Sequence, residues 1–203
     1  MNAASEIHDR FITIAHDLSP VLAEAIARTD PIALPPHQDA PLAERLCRAV
    51  AGQQLSIKAA GSIWGRVVER ADGKSLIAHF ATTDPQTLRD CGLSRAKAQA
   101  LGAIAAAALA GELDAEVLGG MASGDRTQRL IQIWGVGQWT ADMINLFYFG
   151  DPDIWPDGDT TARKTLEKLT SARRKTTRTA ARFAPYRSYL ALYMWRQADA
   201  APE

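Results

Sequence analysis

The sequence of 203 residues has little cysteine, no excess of charge of either sign and no long apolar run. Cys47 and Cys91 are its two cysteines, too few for a disulfide scaffold, a four-cysteine metal site or an iron–sulfur cluster, so we expect reduced, buried thiols. The longest apolar stretch, residues 101–110, is far shorter than the roughly 20 residues of a membrane-spanning helix. The first ten residues are polar and acidic, unlike a signal peptide. We therefore expect a soluble cytoplasmic protein without membrane contact.

Charge is balanced in total, with 23 Lys and Arg against 23 Asp and Glu. Taken alone, this balance argues against a partner as acidic as nucleic acid. The distribution along the chain is uneven, because residues 1–44 carry seven acids and two bases whereas residues 163–196 carry ten bases and one acid. These charges could simply solvate helix faces, but such an excess of bases favours an anion-binding surface.

Helical patterns run through the whole chain, which is rich in alanine and lacks the strict alternation of apolar and polar residues typical of strands. Apolar residues over 5–28 recur at helical spacing and predict two helices separated near Ser19-Pro20. The sequence therefore predicts an all-α fold. Further helices are expected over 57–71, 95–110, 139–149, from Thr160 onward, and over 185–198.

A glycine-containing hairpin is expected between two amphipathic helices, within residues 130–141. Gly135 and Gly137 let the backbone turn tightly and approach a ligand, because glycine has no Cβ and tolerates positive φ. The amides around Gly135, Gly137 and Gln138 would point outward just before a helix begins, a geometry that binds a phosphate without recognising base sequence. The alternative is a simple turn between helices. Carbonyls that could converge on a monovalent cation in this turn are those of Ile131, Ile133 and Val136.

Asp159 lies about twenty residues after the hairpin, at the expected N-cap of a helix that begins at Thr160. The dipole of that helix favours the ionised carboxylate, which in an apolar cleft could stabilise a developing cation or activate a water molecule. The alternative is that Asp159 only caps the helix. Asp157 is a competing candidate, although the following Gly158 makes it more typical of a turn.

Hairpin and aspartate together resemble the helix-hairpin-helix–Gly/Pro-Asp DNA glycosylases, and within them the 3-methyladenine DNA glycosylase II branch. Three further regions resemble that branch in the same order, so that the resemblance covers about residues 40–197. It implies one domain over 1–203, in which a helical lobe at about 45–150 packs against a lobe formed by 1–44 and 151–203, with the active-site cleft between them. The matching regions are 50–60, 91–97 continued by 111–114, and 185–195.

The resemblance implies that Asp159 is the catalytic carboxylate of base-excision DNA repair. Hydrolysis of an N-glycosidic bond builds oxocarbenium character on the sugar, which a nearby carboxylate stabilises while water attacks. Bifunctional members have a lysine nucleophile at the position of Trp139. Because tryptophan cannot form a Schiff base, the resemblance implies a monofunctional glycosylase without lyase activity.

The resemblance also implies base flipping, in which a side chain fills the gap that the extruded base leaves in the duplex. Gln54 aligns best with the family's wedge position within residues 53–55, whereas Leu55 is the better apolar plug unless it packs in the core. The base pocket would be lined by Trp139, Trp195 and Met143, the last at a position where the family often has an aromatic residue. Other tryptophans on helices, Trp64 and Trp134, are expected in the core. The implied DNA-binding residues are Gln53, Gln54, Leu55, Gly135, Val136, Gly137, Gln138 and Thr140.

The expected function is therefore the excision of alkylated purines, chiefly 3-methyladenine, from duplex DNA that contains alkylated bases. No cofactor is required, with Na⁺ or K⁺ at the hairpin as candidates, and a monomer is the expected state. One alternative is the same scaffold acting on another damaged base, such as hypoxanthine. The other is a non-catalytic protein that binds DNA or recognises lesions.

Overall fold

The computed structural model describes residues 3–199, and within that range the chain forms helices and loops but no β-strand. The all-α prediction is confirmed. The chain divides into two compact units: the central unit, His37–Phe149, and the terminal unit, which combines the chain up to Pro36 with the chain from Gly150 onward. Across residues 3–199, no helix is both long and apolar enough to cross a membrane.

Short helices joined by tight turns make up most of both units. A π-helical turn, Ile144–Tyr148, directly follows α10, and a 3₁₀ turn, Ala181–Phe183, follows α12. The α-helices, in chain order, are α1 (Ala3–Leu18), α2 (Pro20–Ala27), α3 (Leu42–Gly52), α4 (Ile57–Arg70), α5 (Leu76–Thr82), α6 (Pro85–Asp90), α7 (Arg95–Leu109), α8 (Ala115–Gly119), α9 (Ser123–Leu130), α10 (Gln138–Met143), α11 (Thr160–Leu169), α12 (Thr176–Ala180) and α13 (Arg187–Asp199).

The central unit is built around α7, which contacts α3, α5 and α6. Leu101 and Ile104 of α7 are fully buried, and alanines fill most of the other inward positions of this helix. Small side chains let neighbouring helices approach closely, so the alanine-rich sequence of α7 is suited to a central packing position. Trp64 packs on this core beside Phe80, as expected.

The core of the terminal unit joins the two ends of the sequence. Phe11 of α1 packs edge-on against Phe183, with 4.8 Å between ring centroids, and also contacts Tyr193 of α13. The Tyr193 hydroxyl lies 2.6 Å from Nδ1 of His8, so that this buried polar pair is satisfied. These aromatic rings pack together with aliphatic side chains of α2, α11 and α13 in one core.

Helix boundaries follow the local sequence at most sites. Ser19 caps α2 ahead of Pro20, as the predicted break there requires. The last helix begins at Arg187 rather than near Pro185, because residues before it form a turn in which Tyr186 N–H donates to the Phe183 carbonyl. The predicted 139–149 helix is regular only through Met143, and its continuation is π-helical.

Both cysteines are buried and free, so the expectation of reduced thiols is confirmed. Burial, with a smaller contribution from the nearby Glu44 carboxylate, raises the pKa of the Cys47 thiol well above its usual value. A thiol held protonated in this way is a poor nucleophile and a poor metal ligand. Cys47 is therefore a core residue.

Candidate active site

Asp159 is the N-cap of α11, as its position before Thr160 predicts. Its Oδ1 accepts the backbone N–H of Ala162 at 2.8 Å. The same oxygen accepts the indole Nε1–H of Trp195 at 2.9 Å. The prediction that Asp159 caps α11 is thus confirmed, and α13 adds a second donor to the carboxylate. Both contacts hold the half-buried Asp159 in one orientation.

The loop that carries Asp159, residues 150–159, is tied to the start of α13. The buried hydroxyl of Ser188 donates to the Asp151 carbonyl at 2.6 Å and accepts the Ile154 N–H at 2.9 Å. A single side chain therefore satisfies backbone groups on both sides of a bend in the loop. This loop and the Trp195 helix consequently share one rigid support.

An ion pair adds to this support. Arg187 donates to Asp153 through Nε at 2.7 Å and Nη2 at 2.9 Å, a bidentate arrangement. Partial burial alone would raise the pKa of Asp153, but the hydrogen bonds and charge of Arg187 outweigh it and hold this pKa below its usual value. Arg187 is therefore paired within the fold.

Asp157, the competing carboxylate, has different partners. Its Oδ1 accepts the Thr176 hydroxyl at 3.0 Å and the Trp155 indole N–H at 3.3 Å. Asp157 is exposed, whereas Asp159 is half-buried. The exposed position makes Asp157 the weaker candidate for charge stabilisation in a water-poor site.

Trp195→Phe is expected to lower any activity that depends on Asp159 by about 10-fold to 150-fold, because a hydrogen bond to a charged group contributes about 1.5–3 kcal/mol. Phenylalanine keeps an aromatic ring but removes the donor at 2.9 Å. Single-turnover rates at saturating substrate measure the effect. Trp155→Phe is the matched control, since it removes the longer indole bond to Asp157 at 3.3 Å. Equal losses in both variants would contradict a specific role for the Trp195 donor.

The hairpin occupies residues 131–137, between α9 and α10. Gly135 has φ +86°, and a Cβ built on it would lie only 2.4 Å from the Cβ of Ala100 in α7. Gly137, by contrast, has open space at its Cβ position and an extended backbone. Packing and backbone conformation thus both require glycine at position 135. Because Gly137 has no side chain, the outer side of the turn is left open.

Side chains of the hairpin alternate between the core and solvent. Ile133 and Val136 are buried, and the Val136 N–H closes the turn by donating to the Ile133 carbonyl at 3.0 Å. Trp134 between them is 49% exposed, so the expectation that it lies in the core is wrong. Ile133 and Val136 occupy the inward positions of the turn, so that the Trp134 side chain between them faces solvent.

The loop of residues 53–55 is joined to the same hairpin helix. Gln53 Nε2 donates to the hydroxyl of Thr140 in α10 at 2.7 Å. Lys97 of α7 donates through Nζ to the carbonyls of Ala51 at 2.9 Å and Gln53 at 2.7 Å. Burial lowers the pKa of Lys97. The start of the loop is therefore held between α7 and α10.

Beyond that anchor, the tip of the loop faces solvent. Gln54 is exposed and has a left-handed backbone with φ +58°. Leu55 is 39% exposed, so the alternative that it packs in the core is wrong. Thr140 is only 1% exposed and Val136 is also buried, so of the predicted DNA-binding residues these two offer almost no accessible surface to a ligand.

Met143 lines a cavity of about 280 Å³ within the central unit. The cavity has an aromatic and aliphatic wall from the π-helical turn and a basic wall from α3. Trp139, one turn before Met143, is half-buried. Residues of this cavity are His37, Arg45, Arg48, Ala49, Met143, Ile144, Phe147 and Tyr148.

Asp142 is a buried carboxylate, 6% exposed, that sequence inspection missed. Burial raises its pKa from 3.8 to about 6, although a hydrogen bond from the Gln138 side chain at 2.8 Å opposes the shift. Since its folded pKa is above its unfolded value, the protein binds a proton more tightly when folded. Its contribution to stability is therefore greatest below about pH 4 and declines as pH rises through about 6.

Asp142→Asn is expected to remove this decline, which amounts to at most about 3 kcal/mol. The variant should gain stability over wild type at pH 8 and lose that advantage at pH 4, because asparagine keeps the acceptor for Gln138 without the charge. Urea unfolding across this range gives the difference between the two proteins. Parallel stability curves for both proteins from pH 4 to 8 would contradict the assignment.

Two polar residues that sequence inspection missed, the buried Asp142 and the half-buried Lys97, carry weak local signals. Asp142 stands four residues after Gln138, the spacing of side-chain pairs on one helix face. Lys97 lies in the first turn of α7, where the helix dipole disfavours a cation. A lysine at such a position indicates a hydrogen-bond or ion-pair partner elsewhere in the fold. Its partners are 44 and 46 residues away, so only the fold identifies them.

A comparison with known families decides the identity of this arrangement. The model of the HhH-GPD superfamily of base excision DNA repair proteins matches residues 47–185, which include the hairpin, Asp159 and the 53–55 loop. The chain belongs to the HhH-GPD superfamily. The expected family is thereby confirmed.

Individual relatives of this HhH-GPD protein agree in sequence and fold. DNA-3-methyladenine glycosylase 1 of Schizosaccharomyces pombe is 31% identical over 172 residues, 78% of this chain and 73% of the relative. The crystal structure of a DNA-3-methyladenine glycosidase from Bacillus halodurans is 27% identical, with a TM-score of 0.78, covering 95% of this chain and 89% of that one. The Schizosaccharomyces pombe 3-methyladenine DNA glycosylase in complex with abasic DNA has the same TM-score and 25% identity, covering 95% and 98%.

Proposed function

We propose that this HhH-GPD protein is a monofunctional DNA glycosylase that hydrolyses the N-glycosidic bond of alkylated purines, chiefly 3-methyladenine, in duplex DNA. The observation that carries the proposal is the Asp159 carboxylate, oriented by Ala162 N–H and the Trp195 indole. Pure DNA binding has no need of a carboxylate facing a polyanion. The names of its relatives in yeast and bacteria support the same substrate class.

Asp159 acts on the sugar rather than on the base. As the bond between C1′ and the purine nitrogen breaks, the bonding pair leaves with the base and positive charge develops on the sugar. The carboxylate stabilises that charge, and water then adds to C1′ and loses its proton to the carboxylate or to solvent. An alkylated purine is already cationic and leaves as a neutral base, so that a strong general acid is not required.

Trp139 supports the proposed absence of lyase chemistry. The indole nitrogen is not a nucleophile, so Trp139 cannot form the Schiff base that precedes strand cleavage. Lys97, which lies near the 53–55 loop, has its amine bound to two backbone carbonyls. An amine engaged in this way is a poor substitute nucleophile.

DNA would be held by the hairpin and opened by the 53–55 loop. Outward amides around Gly135, Gly137 and Gln138 bind a phosphate, and the exposed Leu55 or Gln54 fills the gap left by the flipped base. Gln53 is bound by Thr140 and Lys97, and these contacts hold the loop in a fixed position relative to the hairpin. The protein would act as a monomer.

A monovalent cation at the hairpin is part of the proposal. Carbonyl oxygens are hard ligands that suit Na⁺ or K⁺, and the Ile133 carbonyl keeps a second lone pair after accepting Val136 N–H. The carbonyls of Ile131, Ile133 and Val136 would hold the ion, which would supply positive charge for a DNA phosphate. Among residues 3–199, no group of three or more His, Cys, Asp or Glu could hold a metal ion.

The cavity beside Met143 favours a second candidate substrate. Arg45 and Arg48 on its wall would repel a cationic base and could donate to the O6 and N7 acceptors of a neutral purine such as hypoxanthine. The tryptophans that the sequence resemblance places in the base pocket would favour a cationic purine instead. Both lesions therefore belong in the test.

Duplexes with one 3-methyladenine, 7-methylguanine, hypoxanthine or normal adenine test the proposal. We expect release of free methylated base, strand breaks only after alkali treatment, and no protein–DNA adduct after borohydride. Breaks without alkali, together with a trapped adduct, would overturn the monofunctional assignment. Salt-dependent binding with no base release from any duplex would favour the non-catalytic alternative.

A further inference from the structure

The proposed DNA-binding elements and the catalytic carboxylate belong to different units. The hairpin and the 53–55 loop are both in the central unit, whereas Asp159 is in the terminal unit. A phosphate contact on the terminal unit would fix the strand directly relative to the carboxylate that performs the chemistry. The inference of such a contact in the terminal unit rests on the proposed function.

We infer that the terminal unit binds backbone phosphates of DNA through a basic cradle formed by Arg163, Arg173, Arg174 and Lys175. These four side chains line an open cavity of about 320 Å³ between the middle of α11 and the start of α12. Arg173, Arg174 and Lys175 are exposed. The cavity thus presents four cationic groups to solvent within one short region.

The shape of the cradle is set by the turn that joins α11 to α12. Arg173 N–H donates to the Ser171 hydroxyl at 3.2 Å, and Arg174 N–H donates to the Ser171 carbonyl at 3.1 Å. This turn places three consecutive cationic residues on one bend, although their mutual repulsion costs free energy. An anion bound between them removes that cost.

Over residues 3–199, carboxylates of the protein balance only one of the four cationic side chains of the cradle by an ion pair. Arg163 pairs with Glu167 at 3.8 Å, one turn along α11. Within the part of the chain that the structure describes, no carboxylate lies within ion-pair distance of Arg173, Arg174 or Lys175. The chain as a whole is neutral, so these charges are not needed to keep an acidic protein soluble.

One hydrogen bond connects the cradle to the loop of Asp159. Thr176, the buried residue after Lys175, donates its hydroxyl to Asp157 at 3.0 Å. Asp157 also lines the cavity and stands two residues before Asp159. A phosphate on the basic side of the cavity would consequently be fixed relative to the catalytic carboxylate.

The ligand that fits is a polyanionic strand rather than a single small anion. Long exposed side chains on a surface turn offer charge without an enclosed, desolvated pocket, so one phosphate would be bound weakly. Successive phosphates of DNA engage several such side chains together and release counterions. Contacts of this kind position the strand and do not recognise its sequence.

The test is the salt dependence of binding to a lesion-free duplex between about 50 and 200 mM KCl. The Arg173→Ala/Arg174→Ala double variant is expected to reduce the slope of log K against log salt by about 1.8, or about 0.9 for each lost phosphate contact. Arg70→Ala/Arg89→Ala is the matched control, because it removes two exposed charges from the central unit and changes net charge equally. Its slope should equal that of wild type.

Equal slopes for wild type and the cradle variant would overturn the inference, as would equal reductions in the cradle and control variants. A Lys175→Glu variant provides a second measurement and is expected to weaken binding to all duplex sequences alike. Inorganic phosphate added at constant ionic strength should not abolish the difference between wild type and the cradle variant. If it does, the cradle is a small-anion site and the inference is wrong. Because no lesion is needed, a protein that binds but releases no base would refute only the proposed function.

Discussion

Asp159→Asn is expected to lower the rate of base release from methylated DNA by about 100-fold to 1,000-fold, the cost of losing one preorganised electrostatic contact in a transition state. Asparagine has nearly the same shape and is as good an N-cap as aspartate. In the wild-type protein, Ala162 N–H and the Trp195 indole N–H donate to the carboxylate at 2.8 and 2.9 Å, and the amide oxygen of asparagine can accept both hydrogen bonds. The variant therefore removes the charge and keeps the scaffold, so its unfolding free energy should change by less than about 1 kcal/mol.

Single-turnover measurement at saturating DNA separates this loss from any change in binding. Asp157→Asn is the matched comparison, because it makes the same chemical change two residues earlier at an exposed carboxylate. Its effect should be much smaller than that of Asp159→Asn. The reverse order would exchange the roles of the two aspartates, and equal base release by wild type and Asp159→Asn would refute a catalytic role for Asp159.

The parts of the site that could be predicted are those encoded over a few residues. The cap at Asp159 depends on one residue and the helix that follows it, and Gly135 depends on a tight turn between two helices. Both are visible in a window of about ten residues because capping and turn conformation are local effects. The structure agrees with both.

Contacts between distant segments could not be predicted in the same way. The Trp195 donor is 36 residues from Asp159, and no local pattern in the sequence connects the two. The clamp of Lys97 on the 53–55 loop and the burial of Asp142 depend on how α7 and α10 pack. The exposure of Trp134 could not be predicted from residue type, since tryptophan is usually highly buried. Its exposure is decided by the turn, in which Ile133 and Val136 occupy the inward positions.

The second large effect is expected for Gly135→Ala, which should destabilise the protein by about 2–5 kcal/mol. Alanine in a left-handed conformation costs about 1–2 kcal/mol, and overpacking a core contact costs about 1–3 kcal/mol more. Both apply at this position, where φ is +86° and the new Cβ would meet the Ala100 Cβ at 2.4 Å. Ala100 is itself buried in α7, so that the helix must shift to relieve the contact.

Gly137→Ala is the matched control, because a Cβ there meets nothing within 4 Å and the residue has negative φ. Its unfolding free energy should stay within about 0.5 kcal/mol of wild type in urea titrations. Ala100→Gly combined with Gly135→Ala separates the two causes. Removing the Ala100 Cβ should relieve the free-energy cost of overpacking, whereas the cost of the left-handed conformation at position 135 remains. Glycine within α7 itself lowers the free energy of unfolding by about 0.5–1 kcal/mol, and this amount reduces the recovery. Strictly additive effects of the two substitutions would contradict the contact between hairpin and α7, because residues that clash directly must be coupled energetically.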